Sequence, residues 1–355
     1  MLGKKLSFLM MSVCILAACS NKEEVAPVEA LEESEVIGEV AVEEDVLPFV
    51  TPFTGERVVE EVTMRPVLAT INNHPDARPQ SGLTSADVVY EMLAEGDVTR
   101  FLALYQSELP ESIGPIRSAR SYFIDIADGL DAFYMAHGYS PEAKSMLERR
   151  VVDNMNGMQY DGIYFLRSKE RRAPHNSYIS GENVVAGAEK VGASLLYNKK
   201  VAYSFYDVQE NVKIGVETNE VDVKYSNNGL FNSRYVYDTE TNRYTRFSAN
   251  VETVDYVSGE PLQLANVVFF EAPHRIIDGI GRRDIDISQG GNAYLFQAGM
   301  MRVVKWKNED GFLAVIEEDG TDTLLVPGQT WVHFVPTSPG LAQSVTYLQQ
   351  EGNGD

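Results

Sequence analysis

The chain has 355 residues, 44% hydrophobic and 10% aromatic, enough for a conventional core in two domains or one elaborate one. Its formal charge of -22 argues against nucleic acid as a partner; acidity of this kind mostly serves solubility. Two cysteines, Cys14 and Cys19, are too few and too close to the amino terminus for a disulfide framework.

In chain order, Lys4 and Lys5 open a short positive region, followed by an apolar stretch from Leu6 to Ala18 that is too short to span a bilayer and reads as a signal peptide over 1–18. Leu16-Ala17-Ala18-Cys19 resembles the lipobox of bacterial lipoproteins. Cleavage before Cys19 and a diacylglyceryl lipid on that cysteine are the expectation, since two acyl chains suffice for stable anchoring. Residues 19–50 carry Glu and Asp without a sustained apolar period and read as an acidic disordered tether.

From Pro66 the pattern predicts strands at Val67–Ile71, Val88–Met92, Phe101–Tyr105 and Ala132–Ala136, and helices at Ser121–Asp128, Pro141–Arg149 and Gly181–Val191. After Tyr203, Val221, Val223, Tyr225, Tyr235, Tyr237 and Tyr244 alternate with polar residues, as in strands with one wet face. Further strands are expected at Val267–Phe270, Tyr294–Phe296, Val303–Trp306, Phe312–Ile316, Leu324–Val326 and Trp331–Val335. The fold class is therefore α+β, with a mixed amino-terminal domain over 51–202 packed against a β-rich carboxy-terminal domain over 203–355.

Particular segments carry a resemblance. Asn72-Asn73-His74-Pro75, Arg78-Pro79-Gln80-Ser81-Gly82-Leu83, Ala86 to Glu91, Gly114 to Arg120 and Arg172-Ala173-Pro174-His175-Asn176 are similar, in order, to the amino-terminal part of the YerB-like lipoprotein family. Asn266-Val267-Val268, Gly281-Arg282 and Pro327 to Trp331 resemble its carboxy-terminal part. The resemblance implies a two-part domain of unknown function in a lipid-anchored bacterial protein, and so an address and a fold without a chemistry.

Several polar groups are candidates for a site. Arg117 and Arg120 flank Ser118 just ahead of a predicted helix, where guanidinium forks beside free N–H groups suit a carboxylate or phosphate. His175 and Asn176 follow the basic stretch Arg167 to Arg172, and His74 and His137 end predicted strands. With Asn73, Arg78 and Arg172 these make one expected anion pocket; pairing of the arginines with Glu91, Asp125 or Asp128 is the structural alternative. Glu91 and Glu95, four apart, share a face in a helix or a strand and would form a carboxylate pair beside Arg100. No short-range His or Cys ligand spacing suggests a metal, and no cofactor motif appears; Gly279 to Arg283 reads as a turn, and Trp331 as a core anchor by default with a sugar-stacking platform as the alternative.

Three functions compete. One is a non-catalytic envelope module, held at the outer face of the cell membrane, whose Arg/His pocket binds a wall fragment, an anionic ligand or an envelope protein. Another is a wall hydrolase using Glu91 or Glu95 with His175. The last is the solute-binding receptor of an importer, which the missing βαβ repeats disfavour.

Overall fold

The computed structural model describes residues 47–207 and 212–348. The signal peptide, Cys19 and the tether up to residue 46 lie outside the described residues. Phe49 and Val50, which the sequence reading places in the tether, pair instead with Val58 and Arg57.

Among the described residues, the dominant element is an 11-stranded sheet drawn from both halves of the chain. Its order runs Val216–Glu217, Met300–Glu309, Gly291–Gln297, Asn266–Ala272, Thr330–Pro336, Val88–Glu95, Val98–Tyr105, Val67–Asn72, Phe133–Ala136, Asn154–Asn156, with Phe312–Ile316 added against Met300–Glu309. The junction is parallel: Thr330 to His333 lie opposite Val88 to Glu91. The central strands Val67–Asn72 and Thr330–Pro336 read as apolar runs because both of their faces are covered.

One face carries the helices Ser121–Gly129 and Pro141–Glu148, whose Phe123, Ile126 and Leu147 pack with Tyr90, Leu102 and Phe334. The other carries the helix Gly181–Val191 and a six-stranded sheet containing Glu220–Val223, Ser233–Asp238 and Arg243–Ser248. In these last two strands burial alternates residue by residue, the signature of one wet face. The architecture is α+β with a β-rich second half.

Local chemistry explains the helix ends. Ser140 accepts from the Ala143 N–H ahead of Pro141, Ser180 accepts from the Asn183 N–H, and Gly192 closes its helix in the left-handed region. Leu324–Val326 is not a strand. Only Leu325 forms a bridge, to Phe205, because the Val326 N–H is taken by the side chains of Asn266 and Gln297. Gly279 to Arg283 turns between the paired strands His274–Ile276 and Arg283–Ile285.

Candidate functional site

The strand Val88–Glu95 decides what its two carboxylates can do. Its register shifts by a bulge between Leu93 and Glu95, so the period-of-two argument that placed Glu91 and Glu95 on one face fails. Glu91 faces the second sheet and Glu95 the helices, which separates the expected carboxylate pair.

Glu91 is fully buried, and both of its oxygens are occupied. Arg246 Nη2 donates to Oε2 at 2.9 Å and Trp331 Nε1 at 3.1 Å; Thr99 Oγ1 and Asn73 Nδ2 donate to Oε1 at 2.8 and 3.2 Å. Burial alone would raise its pKa, but Arg246, then His333 and Thr99, hold it below the usual carboxylate range. Arg246 lies over the Trp331 ring at 4.6 Å and spends its remaining N–H groups on Tyr235, Ser248, Thr253 and Ser233. His333 bonds Tyr225 at 3.0 Å and Tyr235 at 2.6 Å, and burial, aided by Arg246 and opposed by Glu91, takes its pKa down to about 4. This is a closed, satisfied network joining the two halves of the chain. Trp331 belongs to it and stacks edge-on to Phe101, so it is core and offers no sugar platform.

Glu95 is clamped on the opposite face by Arg100, at 2.8 Å, and by Arg120. Arg120 is therefore buried in an ion pair and does not join the expected pocket. Arg78 is likewise structural, donating to Asn73 Oδ1 at 3.0 Å and to the Leu230 carbonyl at 2.9 Å.

The remaining predicted residues do converge. The Arg117 N–H bonds Thr70 on the neighbouring strand, and its carbonyl accepts the His137 N–H, which sets the two side by side. His137 Nε2 accepts from Arg167 at 2.9 Å, so its Nδ1 carries the proton and donates to Ser177 Oγ at 2.7 Å. Arg167 also holds Asp161 at 3.0 Å and Asn176 Oδ1 at 3.1 Å. Ser118 Oγ reaches the His137 carbonyl at 3.3 Å. On the other side, His175 Nδ1 lies 2.7 Å from Asn72 Nδ2, and its ring is 4.7 Å from that of His74. Arg171 fixes this approach by donating to the Ala77 and Pro79 carbonyls. Arg172 is exposed, and its carbonyl closes the turn by accepting the His175 N–H at 2.9 Å.

Arg117 stands apart within this group. Among the described residues it is the one part-buried arginine whose guanidinium has neither a carboxylate nor a hydrogen-bond acceptor, and its Nε is enclosed without a partner. Burial, then Arg100 and Arg167, take its pKa down to about 10. Burial also lowers His137 and His175; for His137 Arg167 contributes next, for His175 His74 does, and Arg117 adds to both. The local field is positive on a strongly acidic molecule, which is where an anion fits.

His74, Asp76 and His175 bring ligand-type atoms within 4.8 Å of one another, close enough for a metal ion. The hydrogen bonds oppose that use. Nδ1 of His74 accepts the Asp76 N–H at 3.2 Å and Nδ1 of His175 faces the Asn72 amide, so each ring offers N–H, not a lone pair, at Nε2. A 610 Å³ cleft elsewhere is lined by Asp125, Asp128, Asp284, Asp286 and Asp310, an acidic wall unsuited to an anion.

Sequence reading missed Asn72, Thr99, Ser177, Arg246 and His333. The last two carried a signal: Arg246 occupies the inward register of Tyr244 and Ser248, and His333 interrupts an apolar run.

Comparison with known proteins agrees with this architecture. Residues 53–194 match the N-terminal domain, and residues 221–332 the C-terminal domain, of a protein of unknown function, DUF3048. The chain is 43% identical over 287 residues to YerB of Bacillus subtilis (strain 168), which is named as a candidate lipoprotein; the match covers 80% of this chain and 86% of that protein. The crystal structure of Bacillus subtilis YerB superposes with a TM-score of 0.77 at 39% identity, covering 85% of this chain and all of that one. Among the described residues, no helix is long and apolar enough to cross a membrane.

Proposed function

The chain belongs to the DUF3048 family, and since membership brings no assigned chemistry, we propose from its own geometry that it is a lipid-anchored binding module of the cell envelope. Its site holds an anionic group of a wall fragment, a peptide or an envelope protein at Arg117, between His137 and His175. The observation that carries this reading is the partnerless, part-buried guanidinium of Arg117. A buried polar group without a partner is costly, and such groups are kept where a ligand completes them. Anchoring through Cys19 at the extracytoplasmic face rests on the Leu16 to Cys19 motif and on the name of the Bacillus subtilis relative.

Thermal-shift titration of the full-length protein with muropeptides, teichoic acid fragments and acidic peptides tests the site, with Arg117→Ala as control. A stabilising shift is expected in the wild type and is lost in Arg117→Ala; a shift that survives, or none with any anion, removes the site. Cys19→Ala is expected to release the protein from the membrane fraction.

The hydrolase reading finds no support in this geometry, since Glu91 is sealed in the core and Glu95 is neutralised by two arginines. The described residues from Leu47 form one compact unit, whereas an importer's receptor closes two lobes around its ligand.

A further inference from the structure

Building on the anion site proposed above, we infer that its ligand group is a tetrahedral oxyanion of the phosphate class, read jointly by Arg117 and the paired imidazoles of His74 and His175. The argument begins with proton positions. Asn72 Oδ1 accepts the His74 N–H at 3.0 Å, which fixes the amide so that Nδ2 faces His175 Nδ1 at 2.7 Å. His175 is thereby an acceptor at Nδ1 and a donor at Nε2. His74 is in the same state, because its Nδ1 accepts the Asp76 N–H. Neither Nε2 has a hydrogen-bond partner among the described residues, and the rings lie 4.7 Å apart, tilted by 30°.

The pair therefore presents two imidazole N–H donors beside the free fork of Arg117. A planar carboxylate is satisfied by one guanidinium fork. Donors on three separate side chains, set on the segments around residues 74, 117 and 175, suit an anion whose oxygens point in more than two directions. A sugar hydroxyl fits less well, since it also needs an acceptor.

Charge points the same way. Burial first, then His74, Arg117 and Arg171, disfavours protonation of His175, and Asp76 favours it. His74 faces Asp76 at 3.6 Å and His175. A dianion between them favours a proton at His175, but the nitrogen left to take it, Nδ1, faces the locked Asn72 amide, so the ring reads the anion as a neutral N–H donor.

Sulfate is the cleanest probe, because it stays doubly charged across the range in which imidazole titrates. Calorimetric titration of the full-length protein with sulfate, inorganic phosphate, glycerol 3-phosphate and acetate is expected to show the tetrahedral anions binding about tenfold more tightly than acetate at pH 6, the worth of one added charge-assisted hydrogen bond. His175→Phe, which keeps the ring and removes the Nε2 donor, is expected to weaken sulfate by about tenfold. His74→Asn, which keeps an N-capping side chain, is expected to weaken sulfate at every pH. Tighter binding of glycerol 3-phosphate than of free phosphate identifies an esterified group on a larger molecule; equal binding identifies the free anion, and both support the phosphate class. Acetate binding as well as sulfate, or sulfate binding unchanged in His175→Phe, overturns this inference and leaves the Arg117 site standing. Anion binding that is indifferent to Arg117→Ala overturns both.

Discussion

A charge survives in a protein core only with a partner, and Glu91 has Arg246 at 2.9 Å with neither side chain exposed. The pair was illegible in the sequence because its members are 155 positions apart. The same difficulty hid the contrast between Arg120, spent on Glu95, and Arg117, which is not: both looked alike around Ser118. His333 offers a direct check on this core. Its folded pKa of about 4 lies below the free imidazole value, so the unfolded state binds the proton first as the pH falls. The stability that His333 contributes is complete above about pH 6.5 and is lost as the pH falls toward about 4, amounting to roughly 3 kcal/mol. Asp87, raised to about 6 mainly by burial, has the opposite sign over part of the same window, so a whole-protein stability profile mixes the two. Histidine NMR separates them: the His333 ring is expected to stay neutral at pH 5, and a His333 resonance that titrates near 6.5 contradicts the sealed network.

At the level of elements, the parts that rest on local rules were legible. The helix Gly181–Val191 is marked in the sequence by a serine before it and a glycine after it, and Pro141–Glu148 by Ser140-Pro141. Ser140→Ala is expected to cost about 1 kcal/mol in urea denaturation, the usual worth of an N-cap; a loss below about 0.3 kcal/mol means the helix is held by packing alone. The bulge at Leu93 to Glu95 has no such local mark. Nothing in Leu93-Ala94-Glu95 distinguishes it from regular strand, yet it turns Glu95 to the helix face, where Arg100 and Arg120 wait. Leu324–Val326 failed for a related reason: its apolar residues suit a strand, but side-chain amides reach its backbone first.

Across the whole molecule, the apolar runs correctly indicated an α+β chain with a β-rich second half, but not that strands from residues 51–202 and 203–355 join edge to edge in one sheet. Which strand neighbours which depends on contacts that period and propensity do not encode. The arrangement has a consequence for folding. Without residues 203–355, the strand Val88–Glu95 loses its parallel partner Thr330–Pro336, Glu91 loses Arg246 and Trp331, and the apolar face that Val89 and Phe101 share with Tyr235 and Trp331 is opened to water. An open strand edge and an uncovered apolar face are a large loss against the stability of an ordinary domain. Residues 47–202 made alone are therefore expected to lack a cooperative melt and near-ultraviolet circular dichroism, while residues 47–348 melt in one transition. Co-expression of the two halves is expected to restore both signals. If instead 47–202 melts cooperatively alone, at the temperature of the intact chain, the halves are independent domains and the Glu91–Arg246 clasp is a contact between finished structures.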